Sequence, residues 1–96
     1  MERRKEESIG NVIRRFLRMS GLETPLGEHR IVDLWPEVAG AAVARYTLDL
    51  RIYNRKLYVK LSSAVLRSQL SLQRTALVQS LNQRAEGSWI EDIVFT

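Results

Sequence analysis

Apolar residues recur along this chain in two rhythms, and the change from one to the other marks out its elements. Ile9, Val12, Ile13, Phe16 and Met19 follow at three- and four-residue steps, the repeat of an amphipathic helix over Ser8 to Ser20. Arg14, Arg15 and Arg18 fall on its opposite side. Gly21 suits the left-handed residue that closes a helix, and Leu22 to Gly27, with Pro25, reads as a connector. From Glu28 a second helix carries Ile31, Leu34 and Trp35 towards a core. Pro36 has no amide hydrogen and biases Trp35 away from helical geometry, so the helix is expected to kink or restart there. Small residues from Ala39 to Ala44 then allow close approach of another element, and that segment ends near Tyr46.

The rhythm next shortens to two. Leu48, Leu50 and Ile52 alternate with Asp49, Arg51 and Tyr53, and Leu57, Val59 and Leu61 alternate with Tyr58, Lys60 and Ser62. If Asn54-Arg55 forms a two-residue turn, Ile52 faces Leu57, Leu50 faces Val59 and Leu48 faces Leu61. On the other face Tyr53 then meets Lys56, Arg51 meets Tyr58 and Asp49 meets Lys60. A slip of one residue would set leucines against tyrosines, so this register is the one that satisfies both faces. Asn54 tolerates the positive φ of such a turn, and Arg55 stands where glycine is usual.

Helical spacing returns after Ser63, which suits an N-cap. One long helix is expected to about Ala85, stopping at Gly87, with Leu66, Leu70, Leu77 and Leu81 as its core stripe. Val65, Leu72 and Ala76 lie roughly 120° round the helix, a flank expected to pack on another helix of the domain, or else to meet a partner. Trp89 to Phe95 reads as a last strand with Ile93 and Phe95 inward. The fold class is therefore α+β: N-terminal helices, a β-hairpin, a long helix and a final strand, giving a three-stranded sheet covered on one face by helices. The helical crossover permits parallel pairing of the last strand. Trp35, beside Pro36 and Val38, is expected to pin helices to sheet, with a partner-binding anchor as its other use.

Composition narrows this picture. Ninety-six residues, 45% hydrophobic and 27% charged, suit a single domain over residues 1–96 with a frayed N-terminus over residues 1–7. No run of about 18 apolar residues occurs, so no membrane partner is expected. Met1-Glu2-Arg3-Arg4-Lys5 is charged like the start of a signal peptide, but Glu6, Glu7, Arg14 and Arg15 interrupt any apolar stretch. With no cysteine, disulfides, thiol nucleophiles and zinc-thiolate sites are excluded, and the cytoplasm is the simplest location. The net charge of +4 is unevenly spread. Basic and acidic residues nearly balance over residues 1–48, whereas Arg51, Arg55, Lys56, Lys60, Arg67, Arg74 and Arg84 occur with no acid among them. Such a block attracts polyanions, though it equally serves as a solvated surface.

Enzyme chemistry finds little footing. His29 is the one histidine and reads as a surface or capping group. There is no phosphate-cradling Gly-x-x-x-x-Gly-Lys-Ser/Thr loop. Adjacent Glu91 and Asp92 in a strand point to opposite faces and cannot act as a paired acid and base. No catalytic residue, metal, cofactor or small-molecule substrate is expected. The hairpin's polar face offers more: Arg51, Tyr53, Tyr58 and Lys60 interleave cations with aromatics, an arrangement that stacks unpaired bases and contacts phosphates. Arg55 and Lys56 at the hairpin tip, with Arg67 and Arg74 along the long helix, extend the candidate nucleic-acid-binding set. Alternatively Arg51 stacks on Tyr58 and Lys60 pairs with Asp49, a self-satisfied surface.

The ordered set Trp35, Val38 and Gly40, Thr47 leading into the hairpin, Leu57-Tyr58-Val59, Ser62-Ser63-Ala64, and Ile93 with Phe95 resembles the DciA family of bacterial proteins associated with loading of the replicative helicase. The resemblance covers about residues 9 to 96. It implies a K-homology-like fold and a non-enzymatic DNA-replication adaptor whose partners are DNA, single-stranded or duplex, and the replicative helicase. The Arg14, Arg15, Arg18 helix is a candidate for partner binding. The Gly-x-x-Gly loop of K-homology domains is missing, which favours salt-sensitive, sequence-tolerant contact. Without a helicase role, the same surface fits a general DNA- or RNA-binding module or a domain that meets an acidic protein.

Overall fold

The computed structural model describes the backbone of residues 2–96 and the side chains of residues 10–16 and 18–96. Five helices and three strands follow in the order α1 (Glu2–Met19), α2 (Glu23–Ala39), α3 (Ala41–Arg45), β1 (Thr47–Tyr53), β2 (Lys56–Leu61), α4 (Ala64–Ser71), α5 (Arg74–Arg84) and β3 (Asp92–Phe95). The class is α+β, and the order is compatible with the K-homology-like arrangement that the resemblance implies. The frayed N-terminus expected over residues 1–7 falls on Met1 and on side chains that lie outside the described residues. Among the described residues no helix is long and apolar enough to cross a membrane.

The hairpin forms in the expected register over most of its length. Ile52 pairs with Leu57, Leu50 with Val59, Arg51 with Tyr58, Tyr53 with Lys56 and Asp49 with Lys60. Asn54 and Arg55 adopt φ of 52° and 62°, the pair of positive values that a type I′ turn requires. Arg55 offsets its unfavourable backbone by tying the tip down. Its carbonyl accepts from the Glu91 amide at 2.7 Å and its guanidinium donates to the Ser88 carbonyl at 2.9 Å. β3 lies parallel to β2, setting Ile93 beside Leu57 and Phe95 beside Val59.

At the far end the register departs from expectation. Thr47, not Leu48, stands opposite Leu61, and the ladder is irregular between Thr47 and Asp49. The reason is a hydrogen-bond relay. The indole N–H of the fully buried Trp35 donates to the Thr47 hydroxyl at 3.1 Å, and that hydroxyl donates to the Val43 carbonyl at 2.9 Å. An unpaired N–H in the core is costly, so Thr47 turns inward and Leu48 is left outside.

The core itself lies between one sheet face and the helices. Ile31, Trp35, Leu57, Val59, Leu61, Leu70, Leu77, Leu81, Ala85, Ile90 and Ile93 form one buried cluster, with Leu50, Ile52, Leu66 and Phe95 packed at its margin. Trp35 and Phe95 meet as a tilted pair, centroids 6.2 Å apart.

Several helix boundaries are set by packing rather than by local propensity. α2 begins at Glu23, because Pro25 falls in the first turn where its missing amide is not needed. It continues through Pro36 to Ala39. One lost backbone bond does not outweigh the burial of Trp35 and Ile31, and the restart comes instead at Gly40, whose φ of 98° suits glycine. The expected long helix is two. Ser63 caps α4 as anticipated, but the Ser71 hydroxyl donates to the Arg67 carbonyl at 2.7 Å, a back-bond that bends helices. The next two amides then bond three residues back, Leu72 to Gln69 and Gln73 to Leu70, and α5 starts afresh. The flank of Val65, Leu72 and Ala76 packs on no helix: Leu72 is 89% exposed, since α1 lies against α2 instead.

Trp89, expected in the last strand, belongs to the loop before it. Asn82 on α5 clamps this loop, its side-chain oxygen accepting from the amides of Trp89 and Ile90 and its NH₂ donating to the Ile90 carbonyl. The Trp89 indole N–H donates to the Ala85 carbonyl. Its ring packs against Gly27 and Gly87, where a Cβ at either glycine would overlap it.

Two stability outcomes follow. Thr47→Val should cost about 1–3 kcal/mol by stranding the Trp35 N–H, whereas Thr47→Ser, which keeps the hydroxyl, should lose less; urea unfolding measures both. Gly27→Ala should destabilise by about 1–3 kcal/mol through overlap with the Trp89 ring. Gly10→Ala, with open space at its Cβ, should instead stabilise by about 0.5–1 kcal/mol through helix propensity, so the two melting temperatures should move in opposite directions.

Candidate nucleic-acid interface

With one sheet face packed on the helices, the other is open. Strand alternation places Arg51 and Tyr53 of β1 and Lys56, Tyr58 and Lys60 of β2 on that open face. Tyr58 stands at its centre, with Arg51 on one side and Val94 of β3 on the other. Lys56 has Tyr53 on one side and Asp92 on the other, and Lys60 faces Asp49 across the ladder. A shallow depression is lined by Arg51, Ile52, Tyr53 and Tyr58. Tyr53 is largely exposed and Tyr58 half-buried, so both rings are held by the sheet while part of their surface reaches solvent.

The electrostatics of this face are milder than the run of basic residues suggests. Arg51, Lys56 and Lys60 share it with Asp49 and Asp92, so three cations against two carboxylates leave one net positive charge. Arg51 is paired along its own strand, its Nε 3.4 Å from the Asp49 carboxylate. Asp49 therefore engages Arg51, two residues on, rather than Lys60. The Asp92 carboxylate accepts from the Ile93 amide at 2.8 Å. Asp92 and Val94 were not among the candidates, although the inward placing of Ile93 and Phe95 already implies that their neighbours point outward. What strand alternation could not give is the parallel register that sets Asp92 beside Lys56.

The remaining candidates do not extend this face as one track. Arg55 holds the hairpin tip to Ser88 as described. Arg67 is half-buried and donates to the Leu61 carbonyl at 2.9 Å, closing the end of β2. Arg74 is exposed in the first turn of α5, and α5 belongs to the layer behind the sheet. Of the eight candidates, five thus share the open face, and the other three lie at its tip, at its end and behind it.

On α1 all three arginines are exposed, and two have acidic partners. Arg14 lies 3.6 Å from Glu86 and Arg18 3.3 Å from Glu23, surface pairs that contribute little stability each. Arg84 pairs with Glu37 at 3.3 Å. His29 is exposed on α2, its Nε2 3.2 Å from the Asp33 carboxylate one helical turn on.

Comparison with known proteins agrees with the resemblance read from the sequence. A family model described as "Dna[CI] antecedent, DciA" matches residues 8–95. A UPF0232 protein of Streptomyces coelicolor is 32% identical over 78 residues, a match that covers 79% of this chain and 41% of that protein. The chain therefore spans about two fifths of the length of the curated relative it matches. The family match runs from within α1, through the Trp35–Thr47 relay and the hairpin, to the last strand, and on that ground the chain belongs to the DciA family.

Proposed function

We propose that this protein is a non-enzymatic adaptor of bacterial DNA replication. It holds DNA on the open face of its sheet and engages the replicative helicase through a separate surface on α1, in the cytoplasm, with residues 1–96 acting as one domain. The observation that carries the nucleic-acid half is the common placement of Arg51, Tyr53, Lys56, Tyr58 and Lys60 on one open face. Membership of the DciA family supports the replication half.

The geometry suggests how the contact works. The rings of Tyr53 and Tyr58 offer stacking surfaces for unpaired bases, while Lys56 and Lys60 take phosphates. The Asp49 carboxylate holds the Arg51 guanidinium in place beside Tyr58. A face with one net positive charge binds loosely and with a shallow salt dependence, as suits an adaptor that must release its strand. With about two or three phosphates neutralised, the slope of log affinity against log salt for single strands should be about −1.5 to −2.

Changing Arg51→Gln and Lys60→Gln together should weaken binding to a labelled single-stranded oligonucleotide by about tenfold and lower the salt slope by about one to two. Both side chains are exposed, so the melting temperature should stay within a degree or two of the parent. Unchanged affinity in the double variant would remove the sheet face from the proposal. Binding to DNA without any binding to the purified helicase would leave a general nucleic-acid-binding module.

A further inference from the structure

Two apolar features of the molecule are left open. Val12, Phe16 and Met19 make an exposed stripe on α1, and nothing beside that stripe specifies what covers it. The outer edge of β1 does carry such a specification. β1 is the seven-residue edge of the sheet, against four residues for β3 on the other side. The direction of its backbone groups follows from the far side of β2. The Val59 carbonyl accepts from the Thr96 amide and the Leu61 amide donates to the Thr96 carbonyl, so these two residues turn away from β1. Lys56, Tyr58 and Lys60 therefore turn their backbone groups towards β1, where Tyr53, Arg51 and Asp49 stand opposite. By alternation Leu50 and Ile52 send their N–H and C=O outward, off the sheet. Among the described residues no backbone bond from another element reaches them. Free edges are ordinarily blunted by lysine, proline or a bulge. β1 has neither lysine nor proline, and its one irregularity lies before Asp49, so Asp49 to Tyr53 stays regular.

We infer that a second copy of this chain adds its own β1 to this edge, antiparallel, about a two-fold axis at Leu50. The charges select both the occupant and the register. Outward-facing residues must oppose one another for the ladder to close, so the axis can sit at Asp49, Leu50 or Arg51 without shortening the overlap. An axis at Asp49 sets that carboxylate against its own copy, and an axis at Arg51 does the same with two guanidiniums; both are unfavourable. The axis at Leu50 sets Asp49 opposite Arg51 of the second copy, and Arg51 opposite its Asp49. These are non-hydrogen-bonded positions, where opposed side chains come closest. The contact of 3.4 Å that already joins Arg51 to Asp49 within the strand then becomes part of a closed ring of alternating charges. Leu50 meets its own copy through the backbone, and Leu48, 61% exposed, comes opposite Ile52. A strand from another protein fits this edge only by repeating the same pattern. One ladder is a small interface, so the dimer is weak and concentration-dependent. The axis stands perpendicular to the sheet, which brings both open faces to one side of a continuous sheet. Where the proposed DNA contact holds, two sets of Tyr53 and Tyr58 share that side, but the pairing itself does not rest on that contact.

Sedimentation of the full chain without DNA should show a monomer–dimer equilibrium below about 1 mM. Arg51→Asp sets carboxylate against carboxylate across the axis, and Asp49→Arg sets guanidinium against guanidinium. Each should weaken the dimer more than tenfold, with circular dichroism unchanged because both side chains are exposed. An equal mixture of the two variants should dimerise again, since an acidic pair then faces a basic pair. Each substitution moves the net charge of +4 by two, so both variants stay positive and bulk attraction cannot restore the dimer. The absence of cysteine lets the register be read directly. A mixture of Asp49→Cys and Arg51→Cys chains should cross-link faster than either alone, because opposed positions stand about 4.5 Å apart in such a ladder, within disulfide reach. A parent that stays monomeric to about 1 mM, a dimer that either charge variant leaves intact, or a charge-variant mixture that stays monomeric overturns the inference. Cross-linking that is no faster in the cysteine mixture overturns it as well. None of these measurements involves DNA, so their failure leaves the proposed function standing.

Discussion

The indole of Trp35 is wholly enclosed, and its N–H is the polar group that the core must satisfy. It does so through Thr47, whose hydroxyl passes the hydrogen bond on to the Val43 carbonyl. Three elements are thereby joined at one point: α2 through Trp35, α3 through Val43, and β1 through Thr47. The consequences spread outward. Turning Thr47 inward forces the irregular ladder before Asp49, and Asp49 then begins the regular alternation that sends Arg51 and Tyr53 to the open face. Phe95 of β3 also packs against the indole, so the last strand is referred to the same residue. A relay of two hydrogen bonds thus sets the phase of the sheet on which the candidate interface stands.

The positive charge of this chain is distributed according to how each cation is held. Arg55 and Arg67 donate to backbone carbonyls at the two ends of β2 and act as fasteners of the hairpin. Arg14, Arg18 and Arg84 pair across elements with Glu86, Glu23 and Glu37. Each such pair is exposed and adds little to stability. Lys56 and Lys60 make no ion pair among the described residues, and they flank Tyr58 on the open face. The molecule therefore separates a mildly basic, aromatic sheet face from an apolar helix ridge, and the two lie on different layers.

The hairpin was legible in the residues because alternation has a period of two. Only one register put Leu50 and Ile52 opposite Val59 and Leu57 while putting Arg51 and Tyr53 opposite Tyr58 and Lys56. The core stripe of Leu70, Leu77 and Leu81 was legible for the same kind of reason, through helical spacing, and so was the Ser63 cap. Local rules failed where a distant group competed with them. Pro36 did not end α2, because the burial of Trp35 outweighed one missing hydrogen bond. The helix after Ser63 broke at Ser71, where a hydroxyl took up a carbonyl.

The sequence by itself determined the class of fold and most of the pairing of the two hairpin strands, because periodicity and turn chemistry act over a few residues, and its ordered set from Trp35 to Phe95 carried the resemblance to the family. Tertiary structure alone decided that Asp92 lies beside Lys56, that Arg55 and Arg67 are tied to carbonyls, and that the apolar side of α1 faces outward. Those outcomes depend on which surfaces meet across the chain, and no local spacing carries that information.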